Sequence, residues 1–222
     1  MSIRSKVITA ALALSVIGGV GAAGTLTANA ASTKCGPICE DLFSEAFGTA
    51  AHPGYIPDVR NQVSRAGQPV ILAKATDSNA GEDFGLSAQG QVSDFVKAGL
   101  VPSGLGKLYG SLNVVEIQYA PKGSPAGLCV GVGTTPGAGT PVTLQRCGVT
   151  AKTLWIFDPE TTSAGTYYVL INGATASNFT DPSVLTAGLP GLPLLTTAPL
   201  AAGHPALTHQ LWGAIDGVIP TS

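Results

Sequence analysis

Apolar and polar residues alternate from Val115 onward: Val115, Ile117 and Tyr119 fall on one side of an extended chain, with Glu116 and Gln118 on the other. A period of two marks a strand with one buried face. Turn residues interrupt the pattern soon after, at Pro121-Lys122-Gly123, Pro125-Ala126-Gly127 and Pro136-Gly137-Ala138-Gly139, so short strands joined by tight turns are predicted. Nearer the start the period changes. Leu42, Phe43, Ala46 and Phe47 recur at helical spacing, which predicts a short helix over Glu40 to Phe47. Just before it, Cys35 and Cys39 bracket Gly36-Pro37-Ile38. That turn can bring the two cysteines together, so residues 31–54 are expected to form a small disulfide-stapled helical segment.

The strand pattern repeats. Tyr55-Ile56-Pro57-Asp58-Val59 matches Leu128-Cys129-Val130-Gly131-Val132, and Gly67-Gln68-Pro69-Val70-Ile71-Leu72 matches Gly139-Thr140-Pro141-Val142-Thr143-Leu144. Val59 to Val70 spans 11 residues and Val132 to Val142 spans 10, and an aromatic residue, Phe84 or Trp155, follows 14 or 13 residues after the second valine. A weaker third copy runs through Ser183-Val184-Leu185-Thr186 and Pro193-Leu194-Leu195-Thr196 to Gln210-Leu211-Trp212. Internal repetition on this scale predicts one structural unit used three times. Phe84, Trp155 and Trp212 at the unit ends, each preceded by aliphatic residues, are candidate core residues around a shared interior.

Composition narrows the class. The chain has 222 residues, with 11% charged and 45% apolar, and contains 29 glycines and 16 prolines. So little charge argues against disorder and against a nucleic-acid surface, and the turn-rich composition favours an all-β fold. Residues 1–30 read as an export signal: Arg4 and Lys6 precede an apolar run from Val7 to Val20, and Ala28-Asn29-Ala30 supplies a small-x-small cleavage site. The mature chain is therefore expected to be secreted and extracellular, with no membrane association after cleavage. Losing Arg4 and Lys6 leaves 9 basic against 13 acidic residues, a net charge of −4, so an uncharged partner is expected. Four cysteines in an oxidising compartment favour two disulfides over metal binding or thiol chemistry. Asn178-Phe179-Thr180 has the form of a glycan acceptor, but the leader is bacterial in style.

The repeated residues resemble the ricin-B-type lectin repeat, whose units run through a C-L-D-V-like strand, a G-T-x-V-x-L strand ending in Cys, and a Q-x-W strand. The resemblance covers Tyr55 to Ile215 and is strongest from Cys129 to Trp155. It implies a β-trefoil over residues 55–222, in a degenerate form, with units near 55–87, 114–158 and 167–216 and an insertion over 88–113. It further implies a within-unit disulfide between Cys129 and Cys147, which are 18 residues apart. A sugar site of the family type needs a carboxylate after the C-L position, an aromatic platform and often the Gln of Q-x-W. No unit has the full set. The first has Asp58 but Glu82 in place of Gln; the second has Gly131 and Thr153; the third keeps Gln210 and Trp212 without a clear acid. Asp58 and Gln210 are the candidate ligand-binding residues, and Asp58 can equally be a turn aspartate after Pro57.

Catalytic and metal chemistry find little support. His204 and His209 are separated by Pro205 and lack the helical i, i+4 spacing of a zinc pair, and His52 does not complete a site with Cys35 and Cys39. No Gly-x-Ser-x-Gly elbow or phosphate loop occurs. Glu82 and Asp83, read as strand neighbours, point to opposite faces and cannot flank one glycosidic bond, so they are expected to be solvated or turn-capping. A glycan-acting or hydrolytic enzyme would need a site assembled from distant residues. The expectation is a secreted, non-catalytic module without a cofactor that binds carbohydrate or cell-wall polysaccharide. The alternative is a β-trefoil that binds protein, as a protease inhibitor does, through loops such as 188–203.

Overall fold

The computed structural model describes residues 40–76, 79–175, 182–188, 196–199 and 207–216. Residues 1–30, Cys35 and Cys39, the triplet Asn178 to Thr180, His204 and most of the 188–203 loop lie outside the described residues. Among those described, the strands in chain order are β1 (Glu40–Ser44), β2 (Tyr55–Val59), β3 (Val70–Lys74) and β4 (Phe84–Gln91), then β5 (Asn113–Tyr119), β6 (Leu128–Val132), β7 (Thr140–Arg146) and β8 (Leu154–Thr162), then β9 (Gly165–Asn172), β10 (Ser183–Thr186), β11 (Thr196–Pro199) and β12 (Leu211–Asp216). Each group of four follows one path. The second and third strands form a hairpin, β2–β3, β6–β7 or β10–β11. The outer strands join an antiparallel ring in which β4 pairs β5, β5 pairs β8, β8 pairs β9, β9 pairs β12 and β12 pairs β1, and β1 lies against β4.

The first strand of the ring lies where a helix was expected. β1 pairs with β12 in the register Leu42↔Ala214 and Phe43↔Gly213, and only Glu45–Phe47 turns as a short 3-10 helix. Adjacent residues of a strand face opposite ways, and here both faces are buried: Leu42 joins one hydrophobic cluster and Phe43 the other. The pairing edge of β12 overrides the helical spacing. Gly213 makes this possible, because a Cβ there would collide with the Phe43 ring.

The register aligns the repeats. Val59 pairs with Val70 in the first hairpin and Val132 with Val142 in the second. Phe84, Trp155 and Trp212 are buried in one cluster with Val59, Val70, Val130, Val142 and Leu185. Across the ring each pairs with a buried residue, aromatic in the first unit and polar in the other two pairs: Phe84↔Tyr119, Trp155↔Asn172 and Trp212↔Ser44. The hairpins also hold one another. Gly67 N and Leu144 O are 2.7 Å apart, Leu144 N donates to Gln68 O at 2.8 Å, and β11 pairs with β7. Between β4 and β5 the chain forms α1 (Val92–Lys97) and α2 (Ser103–Tyr109), which bury Val92, Phe95 and Leu105 in the second cluster with Val114, Ile156 and Val169. No helix among the described residues is long and apolar enough to cross a membrane.

Candidate functional site

Asp58 sits on β2, one residue after the position whose counterparts, Val130 and Leu185, accept an indole N–H from Trp155 and Trp212. The corresponding residues in the other units are therefore Gly131 and Thr186. Asp58 is not at the surface, as a turn carboxylate would be: it is 6% exposed, and a Cβ on Gly81 would collide with its Oδ1. The cause is the turn before β4. Asn79 caps the 3-10 turn Ala80–Glu82 by accepting from Gly81 N at 3.0 Å, the role short polar side chains take at N-caps. This places the Asn79 amide between two carboxylates. Nδ2 donates to Asp58 Oδ1 and to Glu82 Oε1, each at 3.1 Å.

Glu82 is neither solvated nor on a strand. It closes the turn, accepting from Thr76 N at 2.9 Å through Oε2 and from Thr76 Oγ1 at 3.0 Å through Oε1. Asp83 is also buried and accepts from Lys122 N at 2.7 Å. Burial pushes the pKa of both Asp58 and Glu82 up; hydrogen bonds from Asn79 and Thr76 oppose this, and the charge on Asp58 adds to the rise at Glu82. The Tyr119 hydroxyl, buried nearby without a hydrogen-bond partner among the described residues, is pushed up to about 12 by burial and by Asp58 and Asp83. Above the pair lie Thr76 and Gln62, both exposed, and Gln62 Nε2 reaches Asn79 Oδ1 at 3.5 Å.

The other units differ. In the second, a Cβ on Gly131 would lie 2.7 Å from Lys152 O, so the backbone fills the space a carboxylate would need. Thr153, at the Gln position, donates to Glu116 instead. In the third, Gln210 is buried and its Oε1 accepts from Leu207 N at 3.4 Å, within its own turn. The structure thus joins Asp58 to Glu82 and leaves Gln210 apart. Asn79, Thr76 and Gln62 were not singled out from the sequence, although Asn79 three residues before Glu82 has the spacing of a capping pair.

A second polar cluster lies on the middle unit. Cys129 and Cys147 form a disulfide, and Glu116, which alternation had placed on a polar face, is 3% exposed beside it. Glu116 Oε1 accepts from Thr153 Oγ1 and Val149 N, both at 2.9 Å, and from Gly148 N at 3.3 Å.

No protein-family model and no curated protein matches the chain. Solved structures do. The fold is similar to the designed 3-fold symmetric protein ThreeFoil, at 13% identity and a TM-score of 0.51, over 80% of this chain and 98% of that one. The mdaA-1 domain aligns at 14% identity and a TM-score of 0.48, over 90% and 100% of the two chains. The binding domain of botulinum neurotoxin serotype C1 aligns at 7% identity and a TM-score of 0.47, over 82% and 44%. Likeness to ThreeFoil and the three four-strand units give the same architecture: the chain is a β-trefoil.

Proposed function

We propose that the chain is an exported, non-catalytic binding module that takes a carbohydrate, as free glycan or cell-wall polysaccharide, at the first unit. One observation supports this reading: among the described residues, Asp58 and Glu82, which the repeat aligns with the lectin acid and the Gln of Q-x-W, share the Asn79 amide next to the exposed Thr76 and Gln62. Asp58 and Glu82 fix the Asn79 amide. With the Asn79 amide fully engaged, the exposed Gln62 amide and the Thr76 hydroxyl then offer donors and acceptors to sugar hydroxyls. A hydrogen bond between neutral groups contributes about 0.5 to 1.5 kcal/mol, roughly two- to twelve-fold in affinity. The test is a glycan array and a pull-down on insoluble polysaccharides with wild type, Asp58→Asn and Gln210→Ala. Retention of wild type and Gln210→Ala with loss of Asp58→Asn supports the reading.

A protein-binding module is the second reading, favoured by one feature. Residues 60–67 are exposed without interruption, and the base of this loop is held to β7 at Leu144. Retention of a protein partner with no glycan binding by wild type would favour it.

A further inference from the structure

We propose that the glycan taken at the first unit is anionic, a polysaccharide carrying carboxylate or phosphodiester groups, and that Arg60, Arg65 and Arg146 hold those groups; this rests on the carbohydrate reading of that unit. Net charge predicts an uncharged partner, but it averages over the chain and hides where the charges sit. After residue 30 the sequence holds three arginines, at 60, 65 and 146. The fold brings them to one junction. Arg60 directly follows β2, and Arg65 lies in the same hairpin loop, which is held to β7 by the bonds joining Gly67 and Gln68 to Leu144. Arg146 is the last residue of β7, two places beyond Leu144. The bridge Pro69↔Thr143 is antiparallel, so the chain from Pro69 back towards Arg65 runs towards the Arg146 end of β7.

All three arginines are exposed, and among the described residues none has an ion pair or a side-chain hydrogen bond, the one salt bridge there being Lys97–Asp94. A guanidinium presents a planar fork of donors that matches a carboxylate or phosphate in two parallel bonds, and it is more weakly hydrated than an ammonium. The loop is shaped before a ligand arrives. Arg65 N donates to Val63 O at 3.0 Å, Gln68 N donates to Arg65 O at 3.1 Å, and Val59↔Val70 closes the base, so little backbone freedom remains to be lost on binding. Arg60 also adjoins the sugar site. Its charge acts on Asp58, and Gln62, two residues on, reaches Asn79. The surroundings suit a sugar better than a protein. Residues 60–67 include Asn61, Gln62 and Ser64, no aromatic residue and one exposed large apolar side chain, Val63, whereas protein interfaces are built round buried apolar and aromatic anchors. Charges spread along the loop and across to β7 match a polymer bearing anions on successive sugars rather than one isolated ion.

The experiment is isothermal titration calorimetry of the full chain with polygalacturonate and its methyl ester, phosphomannan and neutral mannan, and polyglutamate. Wild type should bind polygalacturonate, phosphomannan or both at least about tenfold more tightly than their neutral counterparts, and whichever binds identifies the oxyanion. Arg60→Gln, Arg65→Gln and Arg146→Gln should each weaken that binding by about three- to fivefold, the upper range for one exposed ion pair, and the triple variant by at least about twentyfold. Lys107→Gln on α2, an exposed charge on a different element, should change it by less than about twofold. Equal affinity for acidic and neutral forms, or unchanged affinity in the triple variant, would overturn the proposal; loss of the same binding in Asp58→Asn would then leave the carbohydrate reading standing. Binding of polyglutamate alone would point to an acidic protein partner and, like binding of no probe, would also overturn it, while the glycan array decides the carbohydrate reading separately.

Discussion

Trp155 donates its indole N–H to the carbonyl of Val130 at 2.9 Å, tying the closing strand of the second unit to its hairpin inside the core. Trp212 makes the corresponding bond to Leu185 at 3.1 Å. Phe84 takes the same place in the first unit with no donor, packing at 5.6 Å from the Tyr119 ring. The second and third units therefore lock hairpin to barrel by a buried hydrogen bond, whereas the first does so by packing Phe84 against Val59 and Val70 in the shared core.

The tryptophan bonds are testable against that contrast. Trp155→Phe should keep the fold, because Phe84 already fills the equivalent place. It should lower unfolding free energy by about 1 to 3 kcal/mol, the cost of leaving a buried carbonyl without its donor. Trp212→Phe should behave alike. Denaturant unfolding of both variants checks this; a loss at one position only would show that the two bonds are not equivalent.

Gly213 predicts a steric effect. It sits opposite Phe43 in the β1–β12 ladder with no space for a side chain. Gly213→Ala should destabilise by about 1 to 3 kcal/mol through overpacking. Pairing it with Phe43→Leu should recover part of that loss, and a thermal melt of the single and double variants reads the coupling.

These two sites mark what could be read from the sequence. The hairpins and their register were legible because Val59, Val70, Val132 and Val142 occupy matching places in a repeated pattern, and the middle unit carries the Cys129–Cys147 spacing besides. β1 was not legible: Leu42 and Phe43 look helical until the edge of β12 is present to pair them and both faces find a core. Asp58 stands out through the repeat, but its burial does not, because the turn that covers it depends on Asn79 and Gly81, 21 and 23 residues further on. Glu116 was hidden for the same reason. Alternation assigns it a solvent face, whereas its donors come from Gly148, Val149 and Thr153.

The buried carboxylate pair predicts a pH dependence. Asp58 and Glu82 have folded-state pKa values above their ordinary ones, chiefly through burial. Their contribution to stability is fully present below the ordinary carboxylate range and is lost as pH rises through the elevated values. Asp58→Asn removes one titrating group. The melting temperature of wild type minus that of Asp58→Asn should therefore fall as pH rises from about 4, the ordinary carboxylate value. A difference that stays flat or rises with pH would contradict the burial of a charged Asp58.

Whether the first unit alone takes the ligand can be read residue by residue by NMR. Backbone and side-chain amide shifts of the mature chain should be followed while a soluble fragment of a polysaccharide retained in the pull-down is added. Saturable shifts are expected at Gln62, Asn79 and Gly81, with Thr153, Thr186 and Gln210 unmoved. Shifts confined to the second or third unit, or centred on the Arg60 to Gly67 loop without Asn79, would contradict it.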